Sequence, residues 1–203
     1  MRVDFLVEEP SAKAALEQLL PRLLPAGCTF RVRAFEGWQD LLGDLKNVLR
    51  GYHRRILREG ETDLRIVVLL DGDGICARRK ASLEEKAAEA GLLTKTAASP
   101  GQPFHVLNRV AVQELEAWWL GDRAAILAAY PNLKPAHFKG LARDPDQLPK
   151  PNDALWEVLK QGRYFASGKR KTQWATDIAP HLDPAHNTSA SFRYFCAGLA
   201  ALR

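Results

Sequence analysis

Residues 64–71, LRIVVLLD, place five apolar side chains in succession from Ile66 to Leu70. A strand with one face in water alternates apolar and polar residues, so a run without alternation marks a strand covered on both faces. Such a strand belongs in a parallel sheet sandwiched between helices, because parallel neighbours are joined by crossovers that lay helices on the sheet. The run ends in Asp71-Gly72-Asp73-Gly74, two carboxylates with one glycine between them.

The flanking segments supply the rest of such a layered fold. VDFLVEE (3–9) reads as a first buried strand. Pro10-Ser11 opens a helix, with Ser11 as its cap and Ala14, Ala15, Leu16, Leu19, Leu20 and Leu23 as its apolar stripe. TFRVRAF (29–35) alternates, as a strand near a sheet edge does. Residues 37–60 have helical spacing through Leu41, Leu45, Val48, Leu49, Tyr52 and Ile56, and 77–90 form a helix that stops at Gly91. A loop over 94–103 leads to a fourth strand, FHVLNRVAV (104–112), and a helix over 113–122. The alternation predicts an α/β fold with about four mostly parallel strands and flanking helices.

After Asp122 helical pieces are separated by proline-rich connectors, and no buried strand is expected between Pro131 and Arg203. The chain divides into an α/β core over 1–122 and a helical C-terminal extension over 123–203, packed together as one compact unit.

Composition removes several function classes. No apolar run approaches the roughly 20 residues that span a bilayer, and MRVDFLVEEPS lacks a signal-peptide layout, so the chain reads as cytoplasmic with no membrane partner. Cys28, Cys76 and Cys196 form no CxxC pair, which argues against a zinc site and a disulfide framework. His53, His105, His137, His181 and His186 show no ligand spacing and read as structural, His105 at the end of its strand remote from any site. The net charge of +5 is concentrated at 50–58, 77–80 and 168–171. Such clusters either follow a phosphate backbone or cover solvated helix faces.

Three acidic features fall where ligands of parallel sheets bind, beyond the carboxyl ends of the strands. Glu8 and Glu9 end the first strand, Asp71 and Asp73 the third, and Glu114 and Glu116 follow the fourth. Taken singly, Asp-Gly-Asp-Gly is an ordinary turn, and glutamates at helix starts are partners of the helix dipole. A calcium loop is a poor match, because Ile75 stands where its third acid would be. Together the acids suit a hard cation such as Mg2+ or Mn2+, which takes carboxylate oxygens and polarises a phosphodiester. Trp118 and Trp119, then Trp38, Trp156, Trp174 and Tyr194-Phe195, read as core, and NTSASF (187–192) as a polar turn with a helix cap.

The order strand, Glu-x-x-Ser, helix, then strand, Asp-x-Asp-Gly, resembles the Toprim domains of topoisomerases, primases and several nucleases. LVEEPSAKAAL resembles their first motif through Glu8, LLDGDG the second through Asp71 and Asp73, and NRVAVQELEAWWLGD the acid-bearing motif of nuclease-type members, through Glu116 and more weakly Glu114. The chain is similar above all to a prokaryotic Toprim-like family of unknown function. Its members are often encoded beside AAA- or ABC-type ATPases, in the manner of overcoming-lysogenization-defect nucleases. KTQWATDIAPHLDPAHNTSASFRYF (171–195) resembles its C-terminal signature.

The resemblance implies a Toprim-like (Rossmann-like) layered sheet. It implies Mg2+ or Mn2+ held by Glu8, Asp71, Asp73, Glu116 and Glu114, and metal-dependent hydrolysis of DNA or RNA. It also implies action as the effector of an ATPase partner, in defence against phage or foreign DNA. Lys171, Arg170 and Arg78 are the candidate phosphate contacts, although 170–171 also reads as a solvated helix start. The alternative is a catalytically silent Toprim-like subunit that binds metal or nucleic acid and docks to the ATPase. A homodimer is left open. Glu9 stands where the family has glycine and Ala12 where it has an acid. Glu9 reads as an exposed helix-start residue.

Overall fold

Residues 64–71 form strand β3 (Leu64–Asp71), whose side chains divide between two hydrophobic layers. Val67 and Leu69 enter one layer, Ile66, Val68 and Leu70 the other, as the two-residue period of a strand requires. These positions come from a computed structural model that describes residues 1–202.

β3 lies between β1 (Arg2–Val7) and β4 (Val106–Ala111), and β2 (Thr29–Ala34) pairs with the far side of β1. All three pairings are parallel. β2 is therefore an edge strand, as its alternation predicts, and Arg31 and Arg33 there discourage further pairing. Helix α1 (Pro10–Leu23) packs Ala15, Leu16, Leu19 and Leu20 against Val3, Phe5 and Val7. Helices α2 (Trp38–Arg58) and α3 (Cys76–Glu89) cover the opposite face through Leu41, Leu45, Leu49, Leu83 and Ala87. The result is a Rossmann-like layered α/β fold. From β1 the chain steps outward to β2 and then returns across β1 to β3. The strand order thus reverses between β1 and β3, the place beyond the strands' carboxyl ends where ligands of open α/β sheets bind.

Two local expectations change. Ser11 is the second residue of α1 rather than its cap; Glu9 holds the cap position and accepts a hydrogen bond from the Ser11 hydroxyl. Pro10 starts the helix where its missing N–H costs nothing. The helix expected over 113–122 shortens to α4 (Glu116–Leu120), because Gln113 sits at φ +61° with its carbonyl taken by the Asp71-Gly-Asp-Gly turn.

The C-terminal helices α5 (Arg123–Ala129), α6 (Pro151–Gln161), α7 (Lys171–Ile178) and α8 (Ala190–Ala200) join the layer on the α1 side. Trp118, Trp119, Trp174, Phe192 and Phe195 are buried there, and Trp156 is partly buried. Trp38 and Tyr194 depart from the expected core: each stays substantially exposed and stacks on an arginine, Arg79 and Arg109 respectively. Among the described residues no helix is long and apolar enough to cross a membrane.

The 187–192 segment holds α4 in place. Asn187 Nδ2 donates to the Trp118 carbonyl at 2.8 Å, Thr188 N to the Gly121 carbonyl at 2.9 Å, and Trp118 Nε1 to Ser191 Oγ at 3.0 Å. Gly121 is needed for this approach, since a Cβ there would lie 2.9 Å from Ser189 N. Beneath the segment the buried Asp146 carboxylate accepts from Ser189 Oγ at 2.7 Å and Ser191 N at 2.8 Å. Asp146→Ala strands these buried donors and should cost about 3 kcal/mol, roughly 6–12 °C in melting temperature for a chain of this size. Urea unfolding of the variant checks it.

Candidate functional site

The rim at the switch point is formed by the carboxyl ends of β1 and β3 and by the turn that follows β3. Gly72 N donates to the carbonyls of Ala111 at 2.9 Å and Gln113 at 3.1 Å, and Asp73 N to Gln113 at 3.0 Å. A Cβ on Gly72 would lie 3.0 Å from the Ala111 carbonyl oxygen, so glycine is a packing requirement there. Asp73 at φ +46° and Gln113 at φ +61° are non-glycine residues in the left-handed region, bonded to each other across the turn. Strained backbone of this kind persists where surrounding contacts impose it, often at functional sites.

This scaffold brings Glu8, Asp71 and Glu116 together. Glu8 Oε2 accepts the Asp71 N–H at 3.0 Å. Glu116, the first residue of α4, is 1% exposed, and its Oε2 has no hydrogen-bond partner. Lys171, at the start of α7, reaches into the group: its Nζ lies 2.6 Å from Glu9 Oε1 and 3.5 Å from Glu116 Oε1. Glu9 is accordingly half-buried and ion-paired, not the exposed helix-start residue expected from sequence.

Asp73 and Glu114 lie near enough to act on Glu8 and Glu116 respectively, but their carboxylates take other partners. Asp73 turns its carboxylate to Arg79, whose Nη2 lies at 2.9 Å. Glu114 caps α6, accepting from Asn152 N at 2.8 Å and from the Asn152 side-chain amide. Arg78 and Arg170 are exposed. His105 precedes β4 at the opposite end of the sheet, where Nδ1 accepts from Leu93 N at 3.2 Å. Sequence reasoning passed over Arg79, and a signal for it existed. Arg79, Leu83 and Ala87 form the buried stripe of α3 at a spacing of four, which turns Arg79 inward and Arg78 out.

The electrostatics follow from burying like charges together. Burial pushes the Asp71 carboxyl well above its usual range, and Glu116 and Glu8 add to the shift. Glu8 is raised by burial and by Asp73, against the hydrogen bond from Asp71 N–H. Burial raises Glu116 to about 7 although Lys171 opposes it. Burial disfavours the Lys171 ammonium, but Glu116 and Glu9 outweigh that, and its pKa is raised. The group therefore favours bound protons or a neighbouring positive charge over bare carboxylates.

As the side chains stand, no group of three or more His, Cys, Asp or Glu among the described residues is arranged to hold a metal ion. Asp73 and Glu114 face other partners, and the Lys171 ammonium contributes the positive charge. The donor set is nevertheless all carboxylate oxygen, the Glu116 Oε2 acceptor is unfilled, and two neighbouring acids are desolvated. These features suit a hard divalent cation and give a soft one no sulfur or imidazole.

A family profile described as a domain of unknown function, DUF4276, matches residues 7–200. No curated protein and no solved structure gives a significant match.

A carboxyl with a folded pKa above its unfolded value stabilises the fold while protonated, fully so below the unfolded pKa, and that contribution is lost as pH rises through the folded pKa. With chelator present, Glu116 should lower stability between its ordinary 4.5 and about 7, by on the order of 3 kcal/mol. Asp71 should add a loss in the same direction from 3.8 upward. Glu116→Gln should flatten the profile, read as urea midpoints from pH 4.5 to 8.

Proposed function

The chain belongs to the DUF4276 family, and we propose that it is a Mg2+- or Mn2+-dependent nuclease of the Toprim kind, hydrolysing phosphodiesters of DNA or RNA. The observation that carries the reading is the meeting of Glu8, Asp71 and Glu116, distant in sequence, at the switch point of the sheet with their charges unbalanced. The motif order Glu-x-x-Ser then Asp-x-Asp-Gly, each at a strand end, supports the Toprim relation, while Glu9 and Ala12 depart from it.

Glu8, Asp71 and Asp73 are the residues that would hold the ion, with Glu116 as a further ligand or as the group that orients water. A bound divalent ion would lower the pKa of a coordinated water and offset charge on the scissile phosphate. Glu116, whose carboxyl burial raises to about 7 in the metal-free site, would be the group to take a proton from that water, at a pKa that the ion's charge would lower. Asp73 brings Arg79 to the same rim. A groove beside the rim is lined by Lys169, Arg170, Lys171 and Asp177 among others; Arg170 is exposed and available to a phosphate backbone, whereas Lys169 pairs with Asp153 and Lys171 with Glu9 and Glu116. Glu114 is left to the start of α6. The resemblance to nucleases encoded beside ATPases supports an ATPase partner and a role in defence against foreign DNA.

A second reading has its own observation. Lys171 already pairs with Glu9 and Glu116, so the acids are served in part without metal. A catalytically silent subunit that docks to an ATPase fits that arrangement.

Plasmid, single-stranded DNA and RNA incubated with Mg2+ or Mn2+ separate the two. We expect cleavage that Asp71→Ala reduces by on the order of 10²-fold or more, and a rise in melting temperature on adding Mn2+ that Asp71→Ala abolishes. Cleavage that survives the substitution refutes the metal mechanism. No cleavage of any substrate, with or without an ATPase partner, refutes the nuclease and favours the silent subunit, whether or not Mn2+ shifts the melting temperature.

A further inference from the structure

Trp38 opens α2 at the same rim of the sheet. The preceding residue, Gly37, donates its N–H to the Glu8 carbonyl at 2.9 Å, which ties this helix start to the acidic group. The other large apolar residues facing the sheet from α2 are buried, whereas Trp38 is 40% exposed. The Arg79 guanidinium lies over its ring, with Cζ 4.1 Å from the ring centroid.

Arg79 itself is unusual. It occupies the rim end of a buried stripe that continues with Leu83 and Ala87, and it is 4% exposed. Nη2 donates to Asp73 Oδ2 at 2.9 Å, but Nε and Nη1 are buried and have no hydrogen-bond partner among the described residues. A buried guanidinium with unfilled donors is costly, and an apolar residue at this position would avoid the cost. The indole covers this guanidinium, and because it sits in the first turn of the helix, 40% exposed, a rotation of its side chain would uncover the empty donors. Ile75, 45% exposed at the start of α3, extends the apolar surface beside it.

We propose that Trp38 and Arg79 form a nucleotide-binding subsite beside the acidic rim: the indole stacks on one unpaired nucleobase, and the guanidinium it uncovers binds the adjoining phosphate. The planar fork of arginine suits a phosphate in two-point contact, and Asp73 fixes its orientation. In an intact duplex both faces of each base are occupied by neighbouring bases, so an indole platform selects single-stranded or frayed nucleic acid. The inference rests on the reading of the rim as a nucleic-acid site and narrows its substrate to unpaired strand.

The test uses the full chain with a labelled single-stranded oligothymidylate and a duplex of equal length. Binding is read by fluorescence anisotropy in chelator, and cleavage kinetics are read with Mn2+. Base stacking of about 1–3 kcal/mol per base corresponds to a loss of roughly 5- to 150-fold for Trp38→Ala. Trp38→Phe should recover most of the affinity, and the KM for cleavage should rise with kcat nearly unchanged. Arg79→Gln should weaken binding and reduce the salt dependence by about one counterion, and Arg79→Lys should restore only part. Trp38 is 40% exposed and covers Arg79, so Trp38→Ala should lower the unfolding midpoint while leaving the protein folded at assay temperature, and Trp38→Phe, which keeps most of the buried area, guards against a folding artefact. Trp38→Ala with unchanged binding and KM overturns the subsite while leaving the nuclease standing. Duplex bound as tightly as single strand also overturns it. Strand binding that depends on Trp38 without any cleavage leaves the subsite standing and removes the nuclease.

Discussion

Like charges drawn out of water at the ends of parallel strands set the terms for the rest of this molecule. Glu8, Asp71 and Glu116 are desolvated together, and in a medium of low effective dielectric their repulsion is several times what water would allow. The chain answers with Lys171, from a helix that starts 162 residues after Glu9 in sequence, whose ammonium bridges Glu9 and Glu116. The C-terminal helices are thus a working part of the rim. They deliver that cation, and through Asn187, Thr188 and Ser191 they fix the short helix that carries Glu116.

The turn after β3 shows how site and scaffold coincide. Gly72 lies against the Ala111 carbonyl, and Gly72 and Asp73 both donate to Gln113. Those bonds hold Asp73 and Gln113 in left-handed conformations. The glycines that make Asp71-Gly-Asp-Gly look like an ordinary turn let the strand end come this close to its neighbour. The same closeness leaves Asp71 facing Glu8 and Glu116. Turn and acidic site are one arrangement of backbone.

What sequence revealed and what it concealed divide along the range of the interactions. The unalternating run of β3 and the alternating β2 placed one strand inside the sheet and the other at its edge, because local period reports how many faces are covered. The acids at three strand ends were legible for the same reason, since parallel topology sends those ends to one side. Helix phase would have separated Arg79 from Arg78, but a cluster of basic residues was read as a patch and not by its stripe. Nothing local announced that Lys171 enters the acidic group, that Glu114 caps α6, or that Trp38 stays outside the core. Each of those depends on a partner far away in the chain. The helix expected over 113–122 failed for a related cause: Gln113 is claimed by a turn forty residues earlier, and that claim outweighs propensity.

Lys171 also bears on how the rim passes between states. One ammonium cannot balance Glu8, Glu9, Asp71 and Glu116, and the unmet repulsion, added to burial, favours the protonated forms of Glu8, Asp71 and Glu116. A divalent cation would bring more charge into a smaller volume than an ammonium, and its binding would release protons. An ammonium displaced from Glu116 would still be held by Glu9, close to the rim and available to a phosphate oxygen. On this view Glu9, which departs from the glycine of the Toprim pattern, keeps Lys171 at hand whether or not the acids are occupied. The same pair limits what the rim would be without metal. A lysine bound between two glutamates offsets part of the repulsion, yet leaves Glu116 Oε2 without a partner among the described residues, and a buried carboxylate oxygen left unfilled is costly.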